Sequence, residues 1–159
     1  MTVNELLGIA LKIEGMGYSY YSRLASNATG EIKKLFEELA IQEREHAKKF
    51  EELLKNYGES NQNDWFYEEV TGYATAYAEE LILSKLENTE IPEHFKDAVK
   101  KAIDVEKDSI LFYTEIKALV PDKEALENVI NEEKRHLNTL VEKLRDYDSF
   151  DMFSEGSKI

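Results

Sequence analysis

Two short segments each set a carboxylate and an imidazole three residues apart: Glu43 with His46, and Glu133 with His136. On a helix, residues at that spacing share one face. In both segments the face is otherwise apolar. Leu35, Phe36, Leu39, Phe50, Leu53 and Tyr57 recur at helical spacing around the first pair, and Leu126, Val129, Ile130, Leu140, Leu144 and Tyr147 around the second. Glu14, between Ala10 and Tyr21, and Glu106, between Ile103 and Ile110, break two further apolar stripes. Oxygen and nitrogen donors without sulfur suit iron or manganese, and zinc can occupy such a set as a substitute.

Four carboxylates and two imidazoles turned inward must be compensated, because an unpaired buried charge costs several kcal/mol. Three arrangements achieve this. The acids can be protonated or hydrogen-bonded to the histidines and to Tyr21 or Tyr113. The stripes can splay so that the polar groups reach water. Two divalent cations can neutralise the four carboxylates and use both imidazoles. Recurrence favours the cations. Glu14 is followed by Tyr21 and Glu106 by Tyr113, and Glu-x-x-His begins 29 and 27 residues after the two single glutamates. One glutamate from each of two helices, with Glu-x-x-His from two more, is the ligand pattern of dinuclear carboxylate bundles. Glu43 and Glu133, each beside a His-bearing position, suit bridging; Glu14 and Glu106 suit terminal ligation, one at each metal. Tyr21 and Tyr113 either hydrogen-bond the ligand carboxylates or pack the core. No catalytic group beyond the ligands stands out, and there is no Gly-rich phosphate loop or Ser/His/Asp set. His94, and the acids Glu45, Asp104, Glu132 and Glu142, read as surface groups.

Four long helices must position these groups. Thr2-Val3-Asn4-Glu5 has the form of a capping box for the first, which runs to about Ala28. Its Gly8, Gly15 and Gly17 either admit a close neighbour or are tolerated in a strong helix. Asn27–Gly30 is a short break, with Thr29 as N-cap of a second helix that reaches about Tyr57. Gly58–Asp64 reads as a loop. Trp65, Phe66 and Tyr67 then lead into an extra amphipathic helix from Glu68 to about Leu86, with Phe66, Val70, Tyr73, Tyr77 and Leu81 on one face for core or subunit contact. The link 58–91 is long enough to return the chain along the bundle and leave the second and third long helices parallel. Pro92 and Glu93 fit the first turn of the third helix. Pro121 ends that helix, and Asp122 caps a fourth that runs to about Tyr147. The expected organisation is one all-α unit over 1–147, a four-helix bundle with crossover 58–91, and a C-terminal tail 148–159.

At 159 residues the chain is long enough to bury one full core. It has no cysteine, which removes disulfides, thiolate metal sites and cysteine nucleophiles. A net charge of -13 argues against binding nucleic acid or an anionic membrane. Neither a secretory leader pattern nor an apolar run of about 20 residues is visible, so a cytoplasmic location is expected. Surplus aromatics on the crossover point to a homodimer.

With these residues in place, the chain resembles a rubrerythrin-related member of the ferritin-like superfamily. Glu14 with Tyr21, Glu43-Arg44-Glu45-His46, Glu106 through Tyr113, and Glu133-Lys134-Arg135-His136 carry the likeness, in order, over residues 2 to about 147. The resemblance implies a ferritin-like four-helix bundle and a non-haem site for two iron ions that reacts with peroxide or O2. Two departures stand out. Rubrerythrins usually append a four-cysteine rubredoxin-like domain, absent here, so electrons are expected from a separate donor such as rubredoxin. Their third helix also tends to carry a second ligand glutamate one turn from the first; here Ile103, Ser109 and Ile110 stand there. What remains is the four-Glu, two-His set of bacterioferritin-like proteins, which keeps iron oxidation and storage, or simple metal binding, as alternatives.

Overall fold

The computed structural model describes residues 3–57, 76, 78–87, 91, 92 and 94–153, with side chains to Asn56 in the second helix and to Tyr147 in the last. The Thr2 cap, the Gly58–Asp64 loop, the aromatic run from Trp65 to Tyr77 and the tail residues 154–159 lie outside the described residues. Helix α1 spans Val3–Ser26 and α2 spans Gly30–Tyr57. A π-helical turn, Ala78–Leu83, runs into the short α3, Ser84–Glu87. Helix α4 spans Phe95–Ile116 and α5 spans Lys123–Phe153.

Among the described residues each long helix buries most of the stripe its periodicity predicts, polar interruptions included, with Phe95, Ile110, Leu144 and Tyr147 half-buried. Glu14 in α1, Glu43 and His46 in α2, Glu106 in α4, and Glu133 and His136 in α5 are all buried. The α1–α2 turn is closed by Asn27 N donating to Leu24 O and Ala28 N to Ala25 O, both at 3.2 Å. Gly30 has φ 63°, a left-handed backbone that only glycine adopts without penalty. Thr29 stands at the N-cap position, its carbonyl accepting from Lys33 N at 3.4 Å. At the other hairpin, Asp122 Oδ1 accepts from Ala125 N at 3.0 Å and caps α5 as expected.

Three boundaries differ from expectation, the first being the end of α5, which runs to Phe153 rather than about Tyr147 and takes in the start of the expected tail. Helix α4 starts at Phe95 rather than around Pro92, because His94 is extended (φ −103°, ψ 136°) and serves as N-cap without a side-chain bond. It also ends at Ile116, several residues ahead of Pro121, in a tight turn where Leu119 N donates to Ile116 O at 2.9 Å. In the crossover, Leu81, placed by its spacing on a face for core or subunit contact, is 40% exposed, while Ala78, Ile82, Leu83 and Leu86 are buried. Hydrogen bonding from i to i+5 widens the π turn and shifts the phase of the buried face.

Cross-links between helices fix their directions. Tyr21 reaches Glu106 and Tyr113 reaches Glu14, so α1 and α4 run antiparallel. His46 contacts Glu132 and His136 contacts Gln42, so α2 and α5 are antiparallel as well. Since α1 and α2 form a tight hairpin, α2 and α4 are parallel. The end of α2 and the start of α4 therefore lie at opposite ends of the bundle. Among the described residues, no helix is long and apolar enough to cross a membrane.

Candidate metal centre

The six polar interruptions meet at mid-bundle, one or two from each long helix. Glu14, Glu43, His46 and Glu133 each present a ligand atom within 4.8 Å of the others, and so do Glu43, Glu106, Glu133 and His136. Glu43 and Glu133 belong to both groups. Nδ1 of His46 lies 3.0 Å from Glu133 Oε1 and 3.6 Å from Glu14 Oε2. Nδ1 of His136 lies 3.3 Å from Glu133 Oε2, 3.5 Å from Glu43 Oε1 and 3.7 Å from Glu106 Oε1. The two imidazoles stack with centroids 5.7 Å apart.

Tyrosines brace the single glutamates across the bundle. Tyr21 donates its hydroxyl proton to Glu106 Oε1 at 2.7 Å, and Tyr113 donates to Glu14 Oε1 at 2.6 Å. Each tyrosine thus serves the glutamate of the opposite hairpin. Burial, reinforced by the nearby carboxylates, pushes both phenols well above their ordinary range, so they remain neutral donors. Hydrogen bonding and core packing, both open from sequence, are here combined: Tyr21 packs on Phe36 at 6.4 Å and Tyr113 on Phe50 at 5.2 Å.

Burial pushes all four carboxyls upward, and their neighbours then divide them. At Glu14 the adjoining Glu43 and His46 outweigh burial and hold it at about 2. Glu133, His136 and Tyr21 likewise lower Glu106 against its burial. At Glu43 and Glu133, burial and the adjacent carboxylates act together and raise the group well above the usual range. Burial pulls the imidazoles down, yet Glu133 and Glu14 raise His46 to about 11, and Glu106 and Glu133 raise His136 to about 10. These directions favour the carboxylate at Glu14 and Glu106, the carboxylic acid at Glu43 and Glu133, and the imidazolium at both histidines. Protons stand where cations would.

That proton arrangement is imperfect. Among the described residues, four buried side-chain atoms lack a hydrogen-bond partner: Glu14 Oε2, Glu106 Oε2, Glu133 Oε2 and His136 Nδ1. All four belong to the cluster, and an unsatisfied buried polar atom costs about 1–3 kcal/mol. Two divalent cations would satisfy them and balance four ionised carboxylates, so the donor set fits such a pair.

Sequence reasoning missed the residues behind the histidines. Nε2–H of His46 donates to Glu132 Oε2, and Nε2–H of His136 donates to Gln42 Oε1. Glu132, expected on the outer face, is only 31% exposed on its side chain, whereas Glu45, Asp104, Glu142 and His94 are exposed as expected. A signal was present: positions 42 and 132 each precede the paired glutamate and lie one helical turn before a histidine. Gly17 has a specific reason as well. A Cβ there would meet Glu43 Oε2 at 3.4 Å and Cδ at 3.5 Å, while one at Gly8 or Gly15 would meet nothing within 4 Å. Beside Glu43 and Glu106, a cavity of about 10 Å³ is lined by Gly17, Ser109 and Leu86 among others. It is on the scale of a single water molecule.

The rubrerythrin family model matches residues 5–144 of this chain. The chain belongs to the rubrerythrin family. This rubrerythrin-family protein is also similar to a crystal structure from Thermotoga maritima assigned as a ferritin-like diiron-carboxylate protein. The match has a TM-score of 0.67 and 28% identity, covering 92% of this chain and 97% of that one. No curated protein gives a significant match. The ferritin-like all-helical fold expected for a rubrerythrin relative is the fold found.

Proposed function

We propose that this protein is a di-iron oxidoreductase that reduces peroxide or O2, with two iron ions per chain held by Glu14, Glu43, His46, Glu106, Glu133 and His136. The observation that carries the reading is the pair of overlapping donor groups sharing Glu43 and Glu133. Carboxylates common to both groups would let two cations act together on one small oxidant. Bound ferrous iron supplies the two electrons that peroxide reduction needs. The chain's own residues orient and insulate the site. Tyr113 and Tyr21 fix the carboxylates of Glu14 and Glu106, and Phe50, Phe112 and Ile116 help keep bulk water out. Electrons to restore the ferrous state come from a separate donor such as rubredoxin, since the chain has no cysteine to hold a rubredoxin-type iron.

The reading extends to a cytoplasmic homodimer, to manganese as a possible native metal and to zinc as an adventitious occupant. The homodimer rests on the sequence run Trp65, Phe66, Tyr67, Tyr73 and Tyr77, a surplus of aromatics that pairing of subunits would cover. A second reading, iron oxidation and storage, is supported by Ser109. It is buried one turn after Glu106, where rubrerythrins tend to carry another ligand glutamate.

Anaerobic loading with Fe(II), followed by stopped-flow mixing with peroxide or O2, tests the proposal. Close to two iron ions per chain and rapid oxidation in a single turnover are expected, from a particle of dimer mass. A shell of many subunits would favour storage. Tight metal binding without oxidation would leave a non-catalytic metal-binding bundle.

A further inference from the structure

The two histidines face the cluster alike, but what stands behind them differs. His46 turns Nδ1 inward, while its Nε2–H donates to the carboxylate of Glu132. His136 also turns Nδ1 inward, while its Nε2–H donates to the amide oxygen of Gln42. Gln42 and Glu132 hold equivalent places in the internal repeat, immediately before Glu43 and Glu133, and each supports the histidine of the opposite hairpin. At this point the repeat is broken by one functional group, carboxylate against amide. Glu132 is itself held: its Oε1 lies 4.0 Å from Lys49 Nζ and 3.9 Å from Arg135 Nη2.

We propose that this difference makes the two metal positions unequal, with Glu132 making the Glu14–His46 position the tighter. The inference rests on the reading that the cluster holds two divalent cations. A cation at Nδ1 draws electron density through the ring and polarises the Nε2–H bond. A hydrogen bond to a full negative charge gains more from that polarisation than one to a neutral amide. Gln42 still orients its imidazole, so the asymmetry is one of affinity rather than of ligand placement. Partners of this kind are worth about 10–100-fold in metal affinity. Glu132 is thus a positioning residue, acting on the metal through His46.

Calorimetric and visible-absorption titration of the full-length, metal-free protein with Co(II) tests the idea. Two cations that share Glu43 and Glu133 repel each other, so two binding steps alone would also arise from equal sites. Assignment therefore rests on variants. Glu132→Gln is expected to weaken the tight step about 10–100-fold and leave the other in place, and Gln42→Glu to tighten the weaker step by a similar factor. The gain in Gln42→Glu cannot come from misfolding. Glu106→Ala should retain the tight step and Glu14→Ala should lose it. If Glu132→Gln weakens both steps alike, or if Glu14→Ala rather than Glu106→Ala retains the tight step, the inference is overturned while the dinuclear reading stands. Failure of the parent protein to bind two Co(II) ions overturns both.

Discussion

Loading the centre with two divalent cations at pH 7 is expected to release about four protons, a count that follows from the charges in the cluster. Without metal, burial and the neighbouring carboxylates push Glu43 and Glu133 toward the protonated form, so each is expected to give up a proton on binding a cation. His46 and His136, raised to about 11 and about 10, must each lose the proton on Nδ1. Glu14 and Glu106 are already ionised and contribute none. Metal binding is then an exchange of protons for cations at constant charge. Linkage makes the overall binding constant for the pair rise by up to about 10⁴ per pH unit near neutrality, or about 100-fold per ion. The assay is calorimetric titration with Mn(II) at pH 7 in buffers of different ionisation enthalpy, whose slope counts the protons. Release of one proton or fewer would refute the charge assignment. It would mean that the acids are already ionised and the imidazoles neutral before metal arrives.

Three further outcomes are expected. Raised histidines contribute stability that is complete below their unfolded value of 6.5 and is lost as pH climbs towards 10 and 11. The metal-free protein should therefore melt at lower temperature at pH 9 than at pH 6, whereas the stabilisation by added metal should grow over the same range. Tyr113→Phe removes the donor to Glu14 and should cost about 1.5–3 kcal/mol in urea unfolding of the metal-free protein. Finally, one substitution type should act with opposite signs. Gly30→Ala, at φ 63°, should destabilise by about 1 kcal/mol, and Gly15→Ala, helical with open space around it, should stabilise by about the same amount. Paired thermal melts distinguish the two, with shifts of about 2–4 °C each.

Much of this arrangement was legible in the chain because burial follows helical spacing closely. Glu14, Glu43, His46, Glu106, Glu133 and His136 interrupt apolar stripes in the sequence and meet in one cluster in the structure. Asp122 behaved as its residue type predicts, because an N-cap is a local matter. What escaped was set by contacts between helices. Glu132 looks like one more surface acid until α2 lies alongside it and His46 Nε2 arrives. Gly17 is explained only once Glu43 packs against it. Which crossover residues face the core escaped for a different reason: spacing rules assume α winding, and the chain there is a π turn. At Pro92 the residue type marked the approach to a helix, but the extended backbone of His94 delayed the first turn.

The reciprocal bracing described above bears on how the centre comes into being. Each donor group draws on both hairpins: Glu14, Glu43 and His46 need Glu133, while Glu106, Glu133 and His136 need Glu43. None of these candidate donors, nor Tyr21 or Tyr113, comes from the crossover. The α1–α2 hairpin and the α4–α5 hairpin are half-sites, and the crossover acts chemically as a tether that raises the effective concentration of one half near the other. The entropy of closing such a tether changes only slowly with its length. Changing the length of the connection therefore carries little penalty to closure and removes none of the six donors, while its Ala78, Ile82, Leu83 and Leu86 stay part of the core. Neither hairpin alone has the ligands for a complete metal position, so uptake of the cation pair reports that the two halves have docked.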